Sequence, residues 1–306
     1  MSDDGILSVK RFFAKAQNDL FFCFKNIKTC FCRITKSHSF AAVNIIREKE
    51  GDILSAFLSV NNIQMIYETP AEETEAVKDV SFEAEKGRFV SIVGPSGCGK
   101  STLLSCIAGL HSQQKGTITL GGKDISQCRD NIGYMLQNDN LLPWRSVWRN
   151  VIIGLEIQKK LTEENIEYVT NLLKKYDLWQ FKDSFPNRLS GGMRQRVALI
   201  RTLALKPQLL LLDEAFSALD YQTRVNVSCD VWEILRRENK TMIMVTHDIP
   251  EAVAMSDRVV ILSKRPAVVT KTVDIDFGAE RQNPIEVRRN PEFQQYFNVI
   301  WKELMQ

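Results

Sequence analysis

Residues 94–101 read Gly94-Pro95-Ser96-Gly97-Cys98-Gly99-Lys100-Ser101, and this stretch decides the fold. It matches G-x-x-x-x-G-K-[ST] in full. Just before it, residues 89–93 (Phe89-Val90-Ser91-Ile92-Val93) form an apolar run of strand length. Just after it, residues 101–109 have helical composition. A strand that turns through glycines into a helix is the geometry that cradles phosphate. The glycines let backbone N–H groups turn inward, and the helix N-terminus adds partial positive charge. In such a loop Lys100 neutralises β- and γ-phosphate oxygens, and Ser101 offers its hydroxyl to Mg²⁺.

A chain of 306 residues holds one large domain or two modest ones. Its 40 basic and 37 acidic residues leave a net charge of +3. Charge therefore names no partner, and nothing suggests a nucleic-acid binder. No apolar run approaches the ~18–20 residues that span a bilayer. The N-terminus lacks the compact apolar core and small-residue cleavage site of a signal peptide. Seven scattered cysteines, with Cys98 inside the glycine loop, suit a reducing cytosol better than a disulfide framework.

Residues 1–57 differ from the rest, being rich in Phe and Cys and basic up to Lys36. Phe13, Ala16, Leu20, Phe24, Ile27 and Phe31 recur at helical spacing. That pattern reads as an extra helix packed on the domain or on a partner, or as a basic amphipathic helix on a membrane surface. Cys23, Cys30 and Cys32 fit no common zinc spacing.

From residue 58 the chain alternates short apolar runs with helical stretches, which predicts an α/β fold around a parallel sheet. Candidate strands are 63–67, 77–83, 89–93, 117–120, 132–135, 209–212, 241–245 and 259–262. Residues 148–205 are mostly helical in pattern, broken at Pro186 and at Ser190-Gly191-Gly192. The layout reads as an extension (1–57), a main domain (58–265) with a helical insertion at about 138–205, and a tail (266–306). The tail holds an alternating segment at 268–275 and a last helix near 291–305.

Two further stretches carry chemistry. Leu209-Leu210-Leu211-Leu212-Asp213 is a buried-strand pattern that ends in a carboxylate, placed to hold Mg²⁺ through its water shell. Glu214 follows at once, positioned to accept a proton from attacking water. Leu189-Ser190-Gly191-Gly192-Met193-Arg194 puts a hydroxyl, two glycines and a helix N-terminus together, which makes a second anion site or an ordinary capped helix.

The ordered set resembles the nucleotide-binding subunit of ABC transporters. It comprises GPSGCGKST through Thr102, YMLQ ending at Gln137, LSGGMRQR from Leu189, LLLLDEAFSALD from Leu209, and THD at 246–248. The likeness spans about residues 58–262. It implies a P-loop NTPase with a RecA-like parallel core, an antiparallel β subdomain and an inserted helical subdomain. It implies ATP and Mg²⁺ as ligands, with residues 94–102 on the phosphates. Gln137 takes the place of the residue that touches Mg²⁺ and the lytic water, and His247 that of the switch histidine at the γ-phosphate. Ser190, Gly191 and Gly192 become the signature donors to ATP held by the opposite subunit. Ala218, Leu219 and Asp220 become the loop that crosses the dimer interface. Tyr67 is the candidate to stack on adenine, with Val77 sharing that contact.

The finer pattern resembles the nitrate/sulfonate/taurine importer class. Its carriers are LLPWRSVWRNVIIGLE from Leu141, LSGGM, ALDYQTR from Ala218 and SDRVVILSKRPAVVTKTVDIDF from Ser256. This implies a homodimer on the cytoplasmic face of the inner membrane, joined to permease subunits and fed by an extracytoplasmic solute-binding protein. Trp144 and residues 141–143 lie near the groove for the permease's coupling helix, or else pack within the subdomain. Ala215 stands where the family usually has proline. An exporter subunit, a lipoprotein-releasing ATPase and a soluble ABC ATPase are the rival readings.

Overall fold

The four leucines of residues 209–212 are buried without exception, yet they serve two different cores. Leu210 and Leu212 point into one apolar cluster, Leu209 and Leu211 into another. The neighbouring strand behaves alike, with Met242 and Met244 on one side and Ile243 and Val245 on the other. A parallel strand covered on both faces needs this continuous apolar run. The computed structural model describes residues 56–68, 73–217, 219–278 and 283–305. The Phe/Cys-rich extension up to Phe31 and Cys32, and Ala218, lie outside the described residues.

The strands are β1 (Leu58–Glu68), β2 (Glu73–Ala84), β3 (Phe89–Val93), β4 (Lys115–Leu120), β5 (Lys123–Asp124), β6 (Ile132–Met135), β7 (Leu209–Asp213), β8 (Thr241–Val245), β9 (Arg258–Leu262) and β10 (Ala267–Asp274). They form one sheet in the order β5-β4-β1-β2-β10-β9-β3-β8-β7-β6. From β9 to β6 every pairing is parallel. From β5 to β2 every pairing is antiparallel. The eight stretches expected to be strands all fall within these elements.

β10 joins the two halves. It pairs parallel with β2 through Ala267 and Val77, and antiparallel with β9 from Val269 onward. The alternating segment of the C-terminal stretch is therefore an interior strand of the sheet.

The helices are α1 (Lys100–Ile107), α2 (Val147–Val151), α3 (Ile153–Ile157), α4 (Glu163–Lys175), α5 (Gly191–Leu203), α6 (Tyr221–Arg237), α7 (Ile249–Met255), α8 (Pro284–Val287) and α9 (Phe293–Leu304). α2 to α5 lie between β6 and β7 in the chain, where the helical insertion is expected. Local chemistry starts them: Ser146, Thr162 and Ser190 each accept a bond from the first turn of α2, α4 and α5. α4 adds Glu163 and Glu164 at its start and Lys174 and Lys175 at its end, matching the helix dipole. α9 packs Ile300 against Val93, Val259 and Ile261, closing a third apolar cluster. Among the described residues no helix is long and apolar enough to cross a membrane.

At the edge of the sheet opposite the glycine loop, Asp257 holds three elements together. Its carboxylate accepts from the Phe89 N–H at 2.7 Å and from Arg236 Nη2 at 2.6 Å, and the residue is only 7% exposed. It thereby fixes the start of β3, which leads into the glycine loop, against the end of α6. Removing one partner of such a pair strands the other in a dry place. Asp257→Ala is expected to lower the unfolding free energy by about 3 kcal/mol, read from urea denaturation beside the parent.

Candidate active site

The glycine loop connects β3 to α1, and its backbone is special where the motif demands it. Gly99 sits at φ +117°, and a Cβ there would lie 2.6 Å from the Ala76 carbonyl. No side chain fits. Gly97 takes φ +73°, with open space where a side chain would project. Lys100 is buried, and its ammonium donates to the carbonyls of Gly94 and Pro95, both at 2.9 Å. The cation is thus held over the loop's own backbone, at the place where an anion would meet it. Cys98 is buried beneath the loop, and burial pushes its thiol pKa up. It is a packing residue.

The loop opens on a cleft of about 270 Å³. Ser96, Gly97, Gly99, Lys100, Ser101 and Thr102 form its floor, and Tyr67, Ala76, Glu214 and Arg265 its walls. Tyr67 donates its hydroxyl to Thr102 Oγ1 at 3.3 Å and meets the His111 ring edge-on. At 37% exposure it leaves part of its ring free to stack. Val77 is fully buried behind this wall, so Ala76 is the residue of β2 at the cleft.

Ser101 Oγ donates to Asp213 Oδ1 at 3.0 Å, and Tyr134 donates to Asp213 Oδ2 at 3.2 Å. Burial raises the Asp213 pKa, and the hydroxyl bonds from Ser101 and Tyr134 oppose that rise. A hydroxyl and a carboxylate side by side are hard oxygen donors, the set Mg²⁺ prefers. Ser101 and Asp213 fit that ion, with Gln137 nearby through Glu214. Burial pushes the Tyr134 phenol up to about 12, so it stays a donor.

Glu214 gathers the remaining polar groups. Gln137 Nε2 donates to its Oε2 at 3.4 Å, and His247 Nδ1 lies 3.2 Å from the same oxygen. Three residues far apart in sequence therefore meet at one carboxylate on the cleft wall. Glu214 has φ +45°, which is costly for a residue with a Cβ. Its N–H bonds to the Val245 carbonyl, and its own carbonyl accepts from both Ser217 N–H and Ser217 Oγ.

Ser190, Gly191, Gly192 and Asp220 do not line this cleft. They form a neighbouring unit instead. Ser190 caps α5, Asp220 caps α6, and a Cβ on Gly192 would lie 2.7 Å from Thr223 Cγ2.

The ABC transporter family model matches residues 77–217. An uncharacterized ABC transporter ATP-binding protein, YtlC of Bacillus subtilis (strain 168), is 47% identical over 249 residues, which cover 81% of this chain and 96% of that one. This chain belongs to the ABC transporter ATP-binding family. The nitrate import ATP-binding protein NrtD of Synechocystis sp. (strain ATCC 27184 / PCC 6803 / Kazusa) is 35% identical over 79% of this chain and 93% of its own. A dimeric, post-hydrolysis structure of the ATP-binding cassette MJ0796 with ADP and Pi matches at TM-score 0.63 and 29% identity, over 72% of this chain and 99% of that one. Members of the family are ATPases that drive transport.

Around the cassette's His247, the structure contains groups that the motifs alone do not name. Glu251 is 4% exposed; it accepts from Thr246 Oγ1 at 2.6 Å and from Ser228 Oγ at 3.4 Å. Thr246 in turn accepts from the Asp248 N–H at 3.0 Å, and Arg224 pairs with Asp248 at 3.1 Å. Glu251 thereby anchors both neighbours of His247. Burial raises the Glu251 pKa above its ordinary 4.5. The native state then holds the proton more tightly than the unfolded chain does. That preference stabilises fully below 4.5 and fades as pH rises through the native pKa. Glu251→Gln is neutral at every pH, so its stability relative to the parent is expected to rise above pH 4.5 and to level off once pH passes the native pKa of Glu251. Urea unfolding of both proteins from pH 5 to 8 measures the slope, and a pH-independent difference contradicts it.

Proposed function

We propose that this chain is the ATP-hydrolysing subunit of an ABC import complex for a small anion. Nitrate, a sulfonate, taurine or a similar solute is the expected cargo. The observation that carries the reading is the meeting of Gln137 and His247 at Glu214 on the wall of the phosphate-loop cleft.

In this mechanism the loop N–H groups and Lys100 bind the β- and γ-phosphates, and Tyr67 stacks on adenine. Ser101 and Asp213, with Gln137 beside them, would hold Mg²⁺, which when bound would supply charge neutralisation at the phosphates. Glu214 takes a proton from a water molecule as that water's oxygen bonds to the γ-phosphorus. The bond from the γ-phosphorus to the β–γ bridging oxygen breaks, leaving ADP and phosphate. His247 and Gln137 orient the water and the Glu214 carboxylate.

Ser190, Gly191, Gly192 and Asp220 act on the nucleotide of the opposite subunit, which accounts for their lying off this chain's own cleft. Two identical subunits are the default. ATP bridges them and hydrolysis releases them, a population shift set by differential affinity. Trp144, 71% exposed, is a contact for the permease. The complex then sits on the cytoplasmic face of the inner membrane, with an extracytoplasmic protein delivering the solute. The import direction rests on the sequence pattern and on the similarity to a nitrate import protein.

Glu214→Gln is expected to cut ATP turnover by about 10²–10⁴ while leaving nucleotide binding intact. Light scattering should then detect an ATP-dependent dimer that persists in the variant and dissociates in the parent. Equal turnover in the two proteins rules out Glu214 as the base.

A further inference from the structure

We infer that Arg265 is a further nucleotide-binding residue whose guanidinium engages the α-phosphate. The inference deepens the reading of the cleft as an ATP site and rests on it. Arg265 belongs to the turn between β9 and β10, outside the five motifs of the cassette, yet it lines the cleft with Tyr67, Gly97, Lys100 and Thr102.

Both ends of that turn are pinned beside the phosphate loop. Leu262, the last residue of β9, packs against the loop's first residue: its carbonyl lies 3.1 Å from where a Cβ on Gly94 would be. Ala267, the first residue of β10, pairs with Val77, next to the Ala76 carbonyl that closes on Gly99. Between them Ser263 ties the turn shut. Its N–H donates to Val268 O at 3.0 Å, and its hydroxyl accepts from Val268 N–H at 3.1 Å. The turn thus lies beside the loop, with Arg265 exposed and lining the cleft.

Arg265 shares the cleft with Tyr67, the stacking candidate, and with Lys100, whose ammonium is held over Gly94 and Pro95. With adenine on Tyr67 and the β- and γ-phosphates on Lys100, the α-phosphate falls between them, within the same cleft that Arg265 lines.

Its charge is also unpaired among the described residues. Arg258 is paired with Asp274, Arg236 with Asp257 and Arg224 with Asp248. Among the described residues Arg265 forms no ion pair. An exposed guanidinium on the wall of that cleft is available to an anion bound there, and its planar fork suits a phosphate.

Calorimetric titration of the purified chain with ADP and with ATP tests this, using the parent, Arg265→Ala, Arg265→Lys and Lys100→Ala. Arg265→Ala is expected to weaken both nucleotides alike, about ten-fold. Arg265→Lys keeps the charge without the fork and should recover part of the lost affinity. At saturating ATP the alanine variant should keep its kcat while its KM rises by the same factor, and its melting temperature should not move. ADP binding within two-fold of the parent overturns the inference. So does a loss confined to ATP, which places the group at the γ-phosphate, or a lysine variant as weak as alanine, which points to stacking on the base. Binding lost in Lys100→Ala but intact in Arg265→Ala sinks this inference alone. If the parent itself binds neither nucleotide, the ATP-site reading falls and this inference with it.

Discussion

Asp213 ends a strand whose leucines are sunk in two separate cores, and its carboxylate is bonded to Ser101 across the sheet. That bond is where packing becomes chemistry. β7 cannot slide, because a shift of one residue would swap the leucines between cores. Asp213 is therefore delivered to a fixed height at the strand's C-terminal end. There it meets the first turn of α1, whose own position follows from β3 on the far side of β8. In open parallel sheets ligands bind beyond the carboxyl ends of the strands. Here the same edge presents Gly94 after β3, Asp213 and Glu214 at β7, and His247 after β8.

Glu214 is the place where the fold carries a local cost for function. A non-glycine residue in the left-handed region costs on the order of 1–3 kcal/mol. The surrounding bonds over-determine it: Val245 holds its N–H and Ser217 its carbonyl. The result is a carboxylate turned to the cleft while the next two residues, Ala215 and Phe216, are buried at 2% and 1% exposure. A proline at 215 would stiffen this turn. Alanine leaves the conformation to the hydrogen bonds and to the packing of Phe216.

Much of this was legible in the sequence, because the decisive signals are local. The glycine loop, the leucine strand and the capped helix at Ser190 each show their geometry within ten residues, and the strand positions follow from their apolar runs. The rest depends on register between distant segments. Nothing near Ala267 announces that β10 joins the two halves of the sheet, and only its pairing with Val77 explains Arg265 at the cleft. Ala76 lines the cleft while its neighbour Val77 does not, although both belong to one apolar cluster, and no local pattern in the sequence tells the two apart. Tyr134 lay in view within YMLQ, but its bond to Asp213 spans 79 positions of sequence. Glu251 stands outside every motif quoted from the sequence. Its role appears only when α7 buries it beneath the His247 loop.

The separation of Ser190 from the cleft constrains how the proposed dimer transmits a signal. Gly192 meets Thr223 so closely that a methyl group would not fit between α5 and α6. Asp220 starts α6, and Arg224 on its next turn both binds the Leu219 carbonyl and pairs with Asp248 beside His247. The signature helix, the loop before α6 and the histidine loop thus form one continuous packed path. In the proposed dimer, His247, assigned to the γ-phosphate of this chain's cleft, would be coupled through Arg224 and Thr223 to Ser190 and Gly192, assigned to the partner's nucleotide. A packed contact of this kind has few intermediate positions. The two sites of the dimer would then report on each other through rigid packing within each subunit, with no separate messenger segment required.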